Sequence, residues 1–396
     1  MRLFYLFIYL LMSSCNDMNI LEKAKKISKE IIISDGHIDL PYRLKNEGYL
    51  KSINKKINLN IKTQGNFDII KAKKGGLNAP FMAIYIPSDY NYVDAYNLAD
   101  SLIDLVERIV NDNKDYISLA KTSKDVYENF KNELISFPMG MENGSPIGNN
   151  LNNLKHFYDR GIRYITLTHA KNNQICDSSY DSTRKWNGLS EFGKKLILEM
   201  NKIGMMIDIS HVSDKTFEQV IEISKLPVVA THSSPRFFTP GFERNMSDAM
   251  IKKLADNNGV ILINFGSSFV NKKSNEIYKN IDEKTEKWRI KNGFALLDKE
   301  VNEYKNKLIE EKNPFASIED VLNAIDHVKN LVGINYIGLG SDFDGLGNSL
   351  PNKLKDVSDY PNLIEGLLLR GYSRVDIEKI CFKNFFRVWE INQKGN

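Results

Sequence analysis

Eight short apolar or β-branched runs follow one another along this chain, and stretches of helical composition lie between them. The runs occupy residues 31–34, 81–86, 134–139, 164–167, 205–209, 228–230, 260–264 and 336–339. Helices are predicted at residues 93–111, 189–202, 214–224, 247–257 and 317–330. Continuous apolar strands that alternate with helices are typical of a parallel sheet buried on both faces. Eight such units predict an α/β fold, a closed (β/α)8 barrel of the TIM type.

One segment breaks the alternation. Residues 272–312 are rich in Lys, Glu and Asn and contain few apolar positions. We predict an exposed helical insertion between strands seven and eight, which is either a solvated excursion or a lid over the site. Since no internal repeat or low-complexity linker is visible, residues 16–396 are interpreted as one barrel domain that contains this insertion.

The charge balance argues against a nucleic-acid partner. The chain has 54 Lys and Arg against 50 Asp and Glu, which gives a net charge of +4. The charges alternate along the sequence and form no basic stripe interleaved with aromatic residues, as nucleic-acid binding would favour. We interpret them as a solvated surface.

The first fifteen residues have the pattern of an export signal. Arg2 precedes an apolar run over residues 3–12, and the small residues Ser13 and Ser14 precede Cys15. This pattern predicts a secretory signal, and Cys15 in this position resembles the lipidated cysteine of a bacterial lipoprotein. A cleaved signal peptide without a lipid is the alternative. Either way we expect an exported protein of the bacterial cell envelope, in the periplasm or on the outer membrane through a lipid on Cys15.

Two further cysteines, Cys176 and Cys381, lie far apart in the sequence and have no metal-type spacing. Two cysteines in an exported protein can pair, but sequence does not show that their Cα atoms approach closely enough. We expect two free, partly buried thiols.

Polar residues with metal-binding side chains follow six of the eight apolar runs. The active site of a (β/α)8 barrel is built at the carboxyl ends of its strands, so this placement is the one that catalysis requires. The chain has six histidines, and four of them lie at such positions. The candidate ligands at these ends are His37, Asp39, Glu142, His169, His211, His232 and Asp342.

The spacing of these residues predicts two metal ions. His37 and Asp39 are two residues apart, so on an extended backbone both side chains lie on one face and can bind one ion. His211 and His232 end successive strands and can bind a second ion, and Glu142 could bridge both through its two oxygens. Three nitrogen ligands with carboxylates favour zinc, although ligand type alone leaves Mn²⁺ and Co²⁺ open.

Several segments carry a resemblance to a known family. They read DGHID at 35–39, GMENG at 140–144, RYITLTH at 163–169, IDISHVS at 207–213, THSS at 231–234, RNM at 244–246 and GSDFDG at 340–345. In this order and spacing they resemble the membrane (renal) dipeptidase family, peptidase family M19. The resemblance extends from about residue 30 to about residue 390. It implies a zinc-dependent dipeptidase that cleaves short peptides with a metal-bridging hydroxide and accepts a D-residue at the C-terminal position.

The resemblance also implies roles for individual residues. His37 and Asp39 match the ligands of the first zinc, Glu142 the bridging carboxylate, and His211 with His232 the second pair. His169 matches a histidine that stabilises the oxyanion, Arg244 an arginine that binds the terminal carboxylate, and Asp342 a carboxylate that binds the free amine and handles a proton. The family's disulfide cysteines have no counterpart near His169, where the chain continues with Ala170 and Lys171.

Two alternatives stay open at this stage. A related amidohydrolase of N-acyl amino acids or lactams would use the same metals but would have no free amine to pair with Asp342. A lipoprotein that binds peptides without catalysis would lack a ligand, and none of the five is missing. The expected partner is a dipeptide, while a homodimer and the preferred dipeptide are left open by the sequence.

Overall fold

The computed structural model describes residues 19–52, 54–295 and 298–395. Eight parallel strands form one sheet in the order β1, β2, β5, β6, β7, β8, β9, β10. Their bounds are β1 Ser34–Ile38, β2 Ala79–Tyr85, β5 Met139–Glu142, β6 Ile162–Thr166, β7 Met206–Asp208, β8 Val229–Ser233, β9 Val260–Ile263 and β10 Ile337–Leu339. The predicted barrel is confirmed.

The barrel closes between its first and last strands. A parallel bridge joins Ile38 to Phe343, just beyond the end of β10. The Asp39 amide donates to the Phe343 carbonyl at 2.9 Å, and the Asp342 amide donates to the His37 carbonyl at 3.1 Å. Closure therefore brings Asp342 beside His37 and Asp39, although some 300 residues separate them in the sequence.

Helices surround the barrel. They are α1 Ile20–Glu30, α2 Leu40–Asn46, α3 Ile69–Gly75, α4 Tyr92–Asp112, α5 Ser123–Lys131, α6 Leu151–Arg160, α7 Glu191–Ile203, α8 Asp214–Ile223, α9 Asp248–Asp256, α10 Ser267–Val270, α11 Lys272–Asn292, α12 Lys299–Lys312, α13 Ile318–Val332, α14 Tyr360–Leu369, α15 Arg374–Glu378 and α16 Asn384–Gln393. Short 3-10 segments lie at Ser145–Ile147, Arg236–Phe238, Ile334–Tyr336 and Val357–Asp359, and a π-helical segment lies at Lys379–Lys383. The five helices predicted from sequence are observed within two residues at each end. Polar caps fix several starts: Ser190, Ser213 and Ser247 each accept a hydrogen bond from the first turn of α7, α8 and α9.

Apolar burial explains why the strands form a barrel. All residues of β6, β8 and β9 are buried, because side chains on one face fill the barrel and those on the other contact helices. The resulting core is continuous from Ala24 in α1 to Trp389 in α16. A rigid frame of this kind holds the residues at the strand ends in place.

The predicted insertion is observed as the helix pair α11 and α12, between β9 and β10. Tyr278, Ile281 and Ile309 form a small buried cluster between these helices. The Tyr278 hydroxyl donates to the Asn348 carbonyl at 3.0 Å, which ties the insertion to the loop that follows β10. Its use as a lid stays a hypothesis.

Two strand predictions need correction. The first strand begins at Ser34, not residue 31, so the segment 35–37 lies within β1 and does not follow it. The run 134–139 is two strands: β4, Ile135–Phe137, pairs with β3, Ile117–Leu119, in a separate sheet, and β5 begins at Met139. Pro138 stands between them, and since it has no N–H it cannot continue a ladder as a donor.

No helix in the described ranges is long and apolar enough to cross a membrane. The predicted signal at residues 1–15 and the lipidation of Cys15 lie outside the described residues and stay predictions. Cys176 and Cys381 are free, which confirms that they are unpaired thiols, but both are buried and not partly buried as predicted.

Candidate metal centre and substrate pocket

The candidate ligands lie together at the carboxyl end of the barrel. His37 and His232 lie within β1 and β8, Asp39 directly follows β1, and Glu142 is the last residue of β5. His169, His211 and Asp342 each lie three residues beyond the end of a strand. His37, Glu142 and His232 were predicted to follow their strands but lie within them, because these three strands extend further than the apolar runs.

Glu142 lies at the centre of the group. Its Oε1 atom is 3.0 Å from His211 Nε2 and 3.2 Å from His232 Nε2. Its Oε2 atom is 3.5 Å from His37 Nε2, which is itself 3.4 Å from Asp39 Oδ2. The two oxygens of one carboxylate therefore face different imidazoles, as a bridging ligand would.

The donor atoms fit divalent metal ions. Three sets of side chains have ligand atoms within 4.8 Å of one another: His37, Glu142 and His232; Glu142, His169 and His211; and His37, Asp39 and Asp342. The sets overlap at Glu142 and His37. The buried His37 Nε2 atom has no hydrogen-bond partner in the part of the chain that the structure describes, and buried polar atoms without partners are costly unless something else binds them. Imidazole and carboxylate donors together suit zinc and other first-row metals.

Electrostatics keep most of these donors in the form that a metal binds. Burial disfavours the charge on Glu142, but the nearby His37 and His169 hold its pKa well below the usual range. Burial also holds the pKa of His211 and of His232 well below 6.5. Ligands must be deprotonated to bind metal. The pKa values of His37 and Asp39 shift the other way. Tyr164, Glu142 and Asp39 outweigh the burial of His37 and raise its pKa, and burial raises the pKa of Asp39.

The Asp342 carboxyl has a raised pKa, and its backbone has a positive φ. Burial is the main cause that raises its pKa to about 8; the nearby Asp39 and Glu142 add to the rise, although His37 opposes it. Its Oδ2 atom accepts a hydrogen bond from Asn264 Nδ2 at 2.9 Å. The backbone of Asp342 has a φ of 62°, and that of His211 a φ of 70°. Such conformations cost about 1–3 kcal/mol for residues other than glycine and are common at functional sites.

Arg244 lies on the loop between the 3-10 segment after β8 and α9. It is 3% exposed, so it is a buried cation and not a surface arginine. Its Nη1 donates to Ser233 Oγ at 2.7 Å and its Nη2 donates to the His232 carbonyl at 2.8 Å. Its buried Nε has no hydrogen-bond partner within residues 19–52, 54–295 and 298–395. A cation is thus fixed beside His232 with N–H groups left for a ligand.

Several supporting residues were missed by the sequence reasoning. Asp208 in β7 accepts hydrogen bonds from Ser210 N and Thr231 N, and Asp35 in β1 accepts hydrogen bonds from His37 N and Ser341 N. Each carboxylate fixes the backbone that carries a candidate ligand. The signal that could have found them is a charged residue inside an apolar strand, which is rarely tolerated without a partner.

Gly345 is a further supporting position, because a Cβ atom there would overlap Asp39 Oδ2 and Asp342 Oδ1. We expect Gly345→Ala to lower kcat/KM by about 100-fold, since a displacement of about 1 Å at reacting groups can cost that much. Gly347→Ala is the control: Gly347 lies in the same loop and has a φ of +55°, and a methyl group added to it would meet no atom within 4 Å. It should cost about 1–2 kcal/mol of stability but keep activity. Equal activity losses in both variants would show that loop strain alone is responsible.

The chain is similar to known proteins along most of its length. The family model described as "Membrane dipeptidase (Peptidase family M19)" matches residues 21–395. A relative described as dipeptidase tcpJ, from Claviceps purpurea (strain 20.1), is 31% identical over 332 residues, which are 82% of this chain and 68% of the relative.

Two solved structures are also similar to this chain. The probable dipeptidase PvdM from Pseudomonas aeruginosa superposes with a TM-score of 0.81 at 26% identity, over 95% of this chain and 98% of the other. A metallo peptidase from Rhodobacter sphaeroides, liganded with a phosphinate mimic of L-Ala-D-Ala, superposes with a TM-score of 0.74 at 23% identity, over 91% and 99%. This second likeness concerns the fold alone. With the family match along nearly all of its length, the chain belongs to the membrane dipeptidase family, peptidase family M19, and is a metallodipeptidase.

Proposed function

We propose that this dipeptidase binds two divalent metal ions, with zinc as the preferred metal, through five residues: His37, Asp39, Glu142, His211 and His232. The observation that carries the proposal is the position of Glu142, whose two oxygens face His37 on one side and the pair His211 and His232 on the other. When bound, two such ions acidify water and polarise the scissile carbonyl. The remaining work falls to protein side chains.

His169 is proposed to stabilise the oxyanion. Its Nε2 atom is 3.8 Å from Glu142 Oε1, and its ring lies 4.3 Å from the ring of His211. An imidazole beside the attacked carbonyl can donate to the developing oxyanion, and removal of one such donor costs about 2.7–4 kcal/mol in other hydrolases. Burial lowers the pKa of His169, so the neutral ring would act as the donor.

Arg244 and Asp342 are proposed to bind the two ends of a dipeptide. Two of the five N–H groups that an arginine carries are used by Ser233 and the His232 carbonyl. The others remain for a terminal carboxylate. Asp342 would bind the free amine and take part in proton transfer. A pocket that requires both charges admits a short zwitterion and excludes a protein chain.

Aromatic side chains lie beside three of the proposed site residues, His169, His211 and Arg244. The Tyr85 ring lies 4.9 Å from that of His169, and the Tyr180 ring lies 5.9 Å from that of His211. Phe269 lies 5.3 Å from the Arg244 guanidinium. We expect these rings to favour substrates with apolar side chains. Acceptance of a D-residue at the C-terminal position is a further part of the proposal, and the substrate panel below tests it.

The proposal is tested with purified, metal-loaded protein and a matched panel: one L,L-dipeptide, L-Ala-D-Ala, and the C-amidated and N-acetylated forms of each. Turnover of the free dipeptides only is expected. Equal turnover of free, amidated and acetylated substrates would contradict recognition of both ends and would favour an amidohydrolase of N-acyl amino acids or lactams.

Arg244→Ala should chiefly raise KM. A contact with a carboxylate remote from the breaking bond is largely uniform binding, and a hydrogen bond to a charged group is worth about 1.5–3 kcal/mol, so we expect an increase of about 10- to 100-fold. Steady-state kinetics on a free dipeptide and its C-amidated form measure this. The variant should no longer distinguish the two forms, because the group that recognises the carboxylate is gone. A variant that still prefers the free carboxylate would remove Arg244 from this role.

A further inference from the structure

The four histidines of the site differ at their second ring nitrogen. His37 Nδ1 lies 3.1 Å from the Tyr164 hydroxyl, and His232 Nδ1 lies 2.8 Å from Thr231 Oγ1. The Nδ1 atoms of His169 and His211 are buried and have no hydrogen-bond partner among the described residues. Two of the four imidazoles are therefore held by a hydroxyl, and two are not.

The direction of the bond at His232 follows from Asp208. Asp208 Oδ2 accepts from Thr166 Oγ1 at 2.5 Å and from Thr231 Oγ1 at 2.6 Å. Its Oδ1 accepts from Ser210 N at 3.0 Å and from Thr231 N at 2.9 Å. Each oxygen of this carboxylate is therefore an acceptor with two donors. The single hydroxyl proton of Thr231 is thus used on Asp208, and its oxygen can only accept from His232 Nδ1–H.

The same reasoning applies at His37. The Tyr164 hydroxyl donates to the Gly36 carbonyl at 2.9 Å. A carbonyl oxygen can only accept, so the hydroxyl proton of Tyr164 is used in this bond. Its oxygen is therefore an acceptor for His37 Nδ1–H. In both cases Nε2 is the nitrogen that faces Glu142.

We propose that Thr231 and Tyr164 are positioning residues, which hold His232 and His37 with the proton on Nδ1 and so present Nε2 as the ligand atom. This inference rests on the proposed metal site. A carboxylate or backbone carbonyl commonly orients a metal-binding histidine by accepting a hydrogen bond from its second ring nitrogen. Loss of that acceptor typically lowers metal affinity by about 10- to 100-fold. Here the acceptors are the buried hydroxyls of Thr231 and Tyr164. The Thr231 hydroxyl donates its own proton to Asp208, and that of Tyr164 donates to the Gly36 carbonyl. His211 has no such support.

Metal affinity of three threonine variants tests the proposal. Thr231→Val removes the acceptor, Thr231→Ser keeps it, and Thr166→Val removes a bond to the same Asp208 oxygen without touching an imidazole. Competition of each metal-free protein with a chelator for Zn²⁺ should show a loss of about 10- to 100-fold for Thr231→Val, with Thr231→Ser and Thr166→Val close to wild type. Tyr164→Phe should weaken binding by a similar factor. An equal loss in Thr166→Val and Thr231→Val, or no loss in Thr231→Val, would overturn the role of Thr231.

The tautomer of His232 provides a readout that does not depend on metal. Two-bond ¹H–¹⁵N correlation spectra of metal-free, ¹⁵N-histidine-labelled protein should show His232 neutral with its proton on Nδ1 in the wild type and in Thr166→Val. Thr231→Val should shift it toward the Nε2–H form. A wild-type His232 with its proton on Nε2 would overturn the inference even if metal binds. A wild-type protein that shows the Nδ1–H form but binds no Zn²⁺ would instead contradict the proposed metal site and leave the hydrogen-bond assignment intact.

Discussion

Replacement of Glu142 by glutamine is expected to lower kcat/KM by about 1,000-fold or more while the barrel stays folded. Glutamine has the same shape but replaces one carboxylate oxygen by an NH₂ group, which cannot bind metal. Because the two oxygens of Glu142 face different imidazoles, the change should weaken both ions together. Metal ions contribute several kcal/mol of transition-state stabilisation, and about 4 kcal/mol corresponds to about 1,000-fold in rate.

Steady-state kinetics measure the loss of kcat/KM, elemental analysis measures the bound metal, and thermal unfolding of the same preparation shows whether the barrel stays folded. Glu378→Gln is a matched control, since Glu378 forms ion pairs with Arg374 and Lys383 and has no contact with the candidate ligands. It should retain wild-type activity. A Glu142→Gln protein with near-wild-type rates and full metal content would exclude Glu142 as the shared ligand.

Asp342→Ala should lower kcat by about 100- to 10,000-fold, the range for loss of a positioned acid or base. The group is buried, accepts a hydrogen bond from Asn264, and has a pKa of about 8 without metal. A group that titrates near neutral pH is suited to proton transfer. Asp342→Asn should be as slow, because the amide can still accept from Asn264 but cannot carry a proton.

N-acetylated substrates separate this role from a structural one. The wild type should discriminate strongly against an N-acetylated dipeptide, and both Asp342 variants should lose most of that discrimination. Asp342→Asn with wild-type kcat would mean that the carboxylate serves packing only. Unchanged preference for the free amine in both variants would move amine recognition to another residue.

The barrel and its candidate ligands could be predicted because both depend on local patterns. Each strand of the barrel overlaps one of the apolar runs, and the candidate ligands lie at or near the strand ends, so the topology alone brings them together. The insertion was predicted for the same reason, since residues 272–312 lack apolar positions. These features can be predicted without knowing which residues contact one another.

The features that were missed depend on contacts between distant segments. Burial of Arg244 results from its bonds to β8, and Asp208, Thr231 and Asn264 act through partners on other strands. The division of 134–139 into two strands depends on the pairing of Ile135–Phe137 with Ile117–Leu119, a run of three residues that is too short to be recognised. Gly345 matters only because Asp39 approaches it after barrel closure.

The metal content of active protein tests the central claim most directly. Protein stripped by a chelator should be inactive, and stepwise addition of Zn²⁺ should restore activity until about two ions are bound per chain, as expected for a two-metal hydrolase. Bound metal measured by elemental analysis at each step gives the stoichiometry. Full activity with one ion per chain, or with none, would contradict a site in which Glu142 joins two metals.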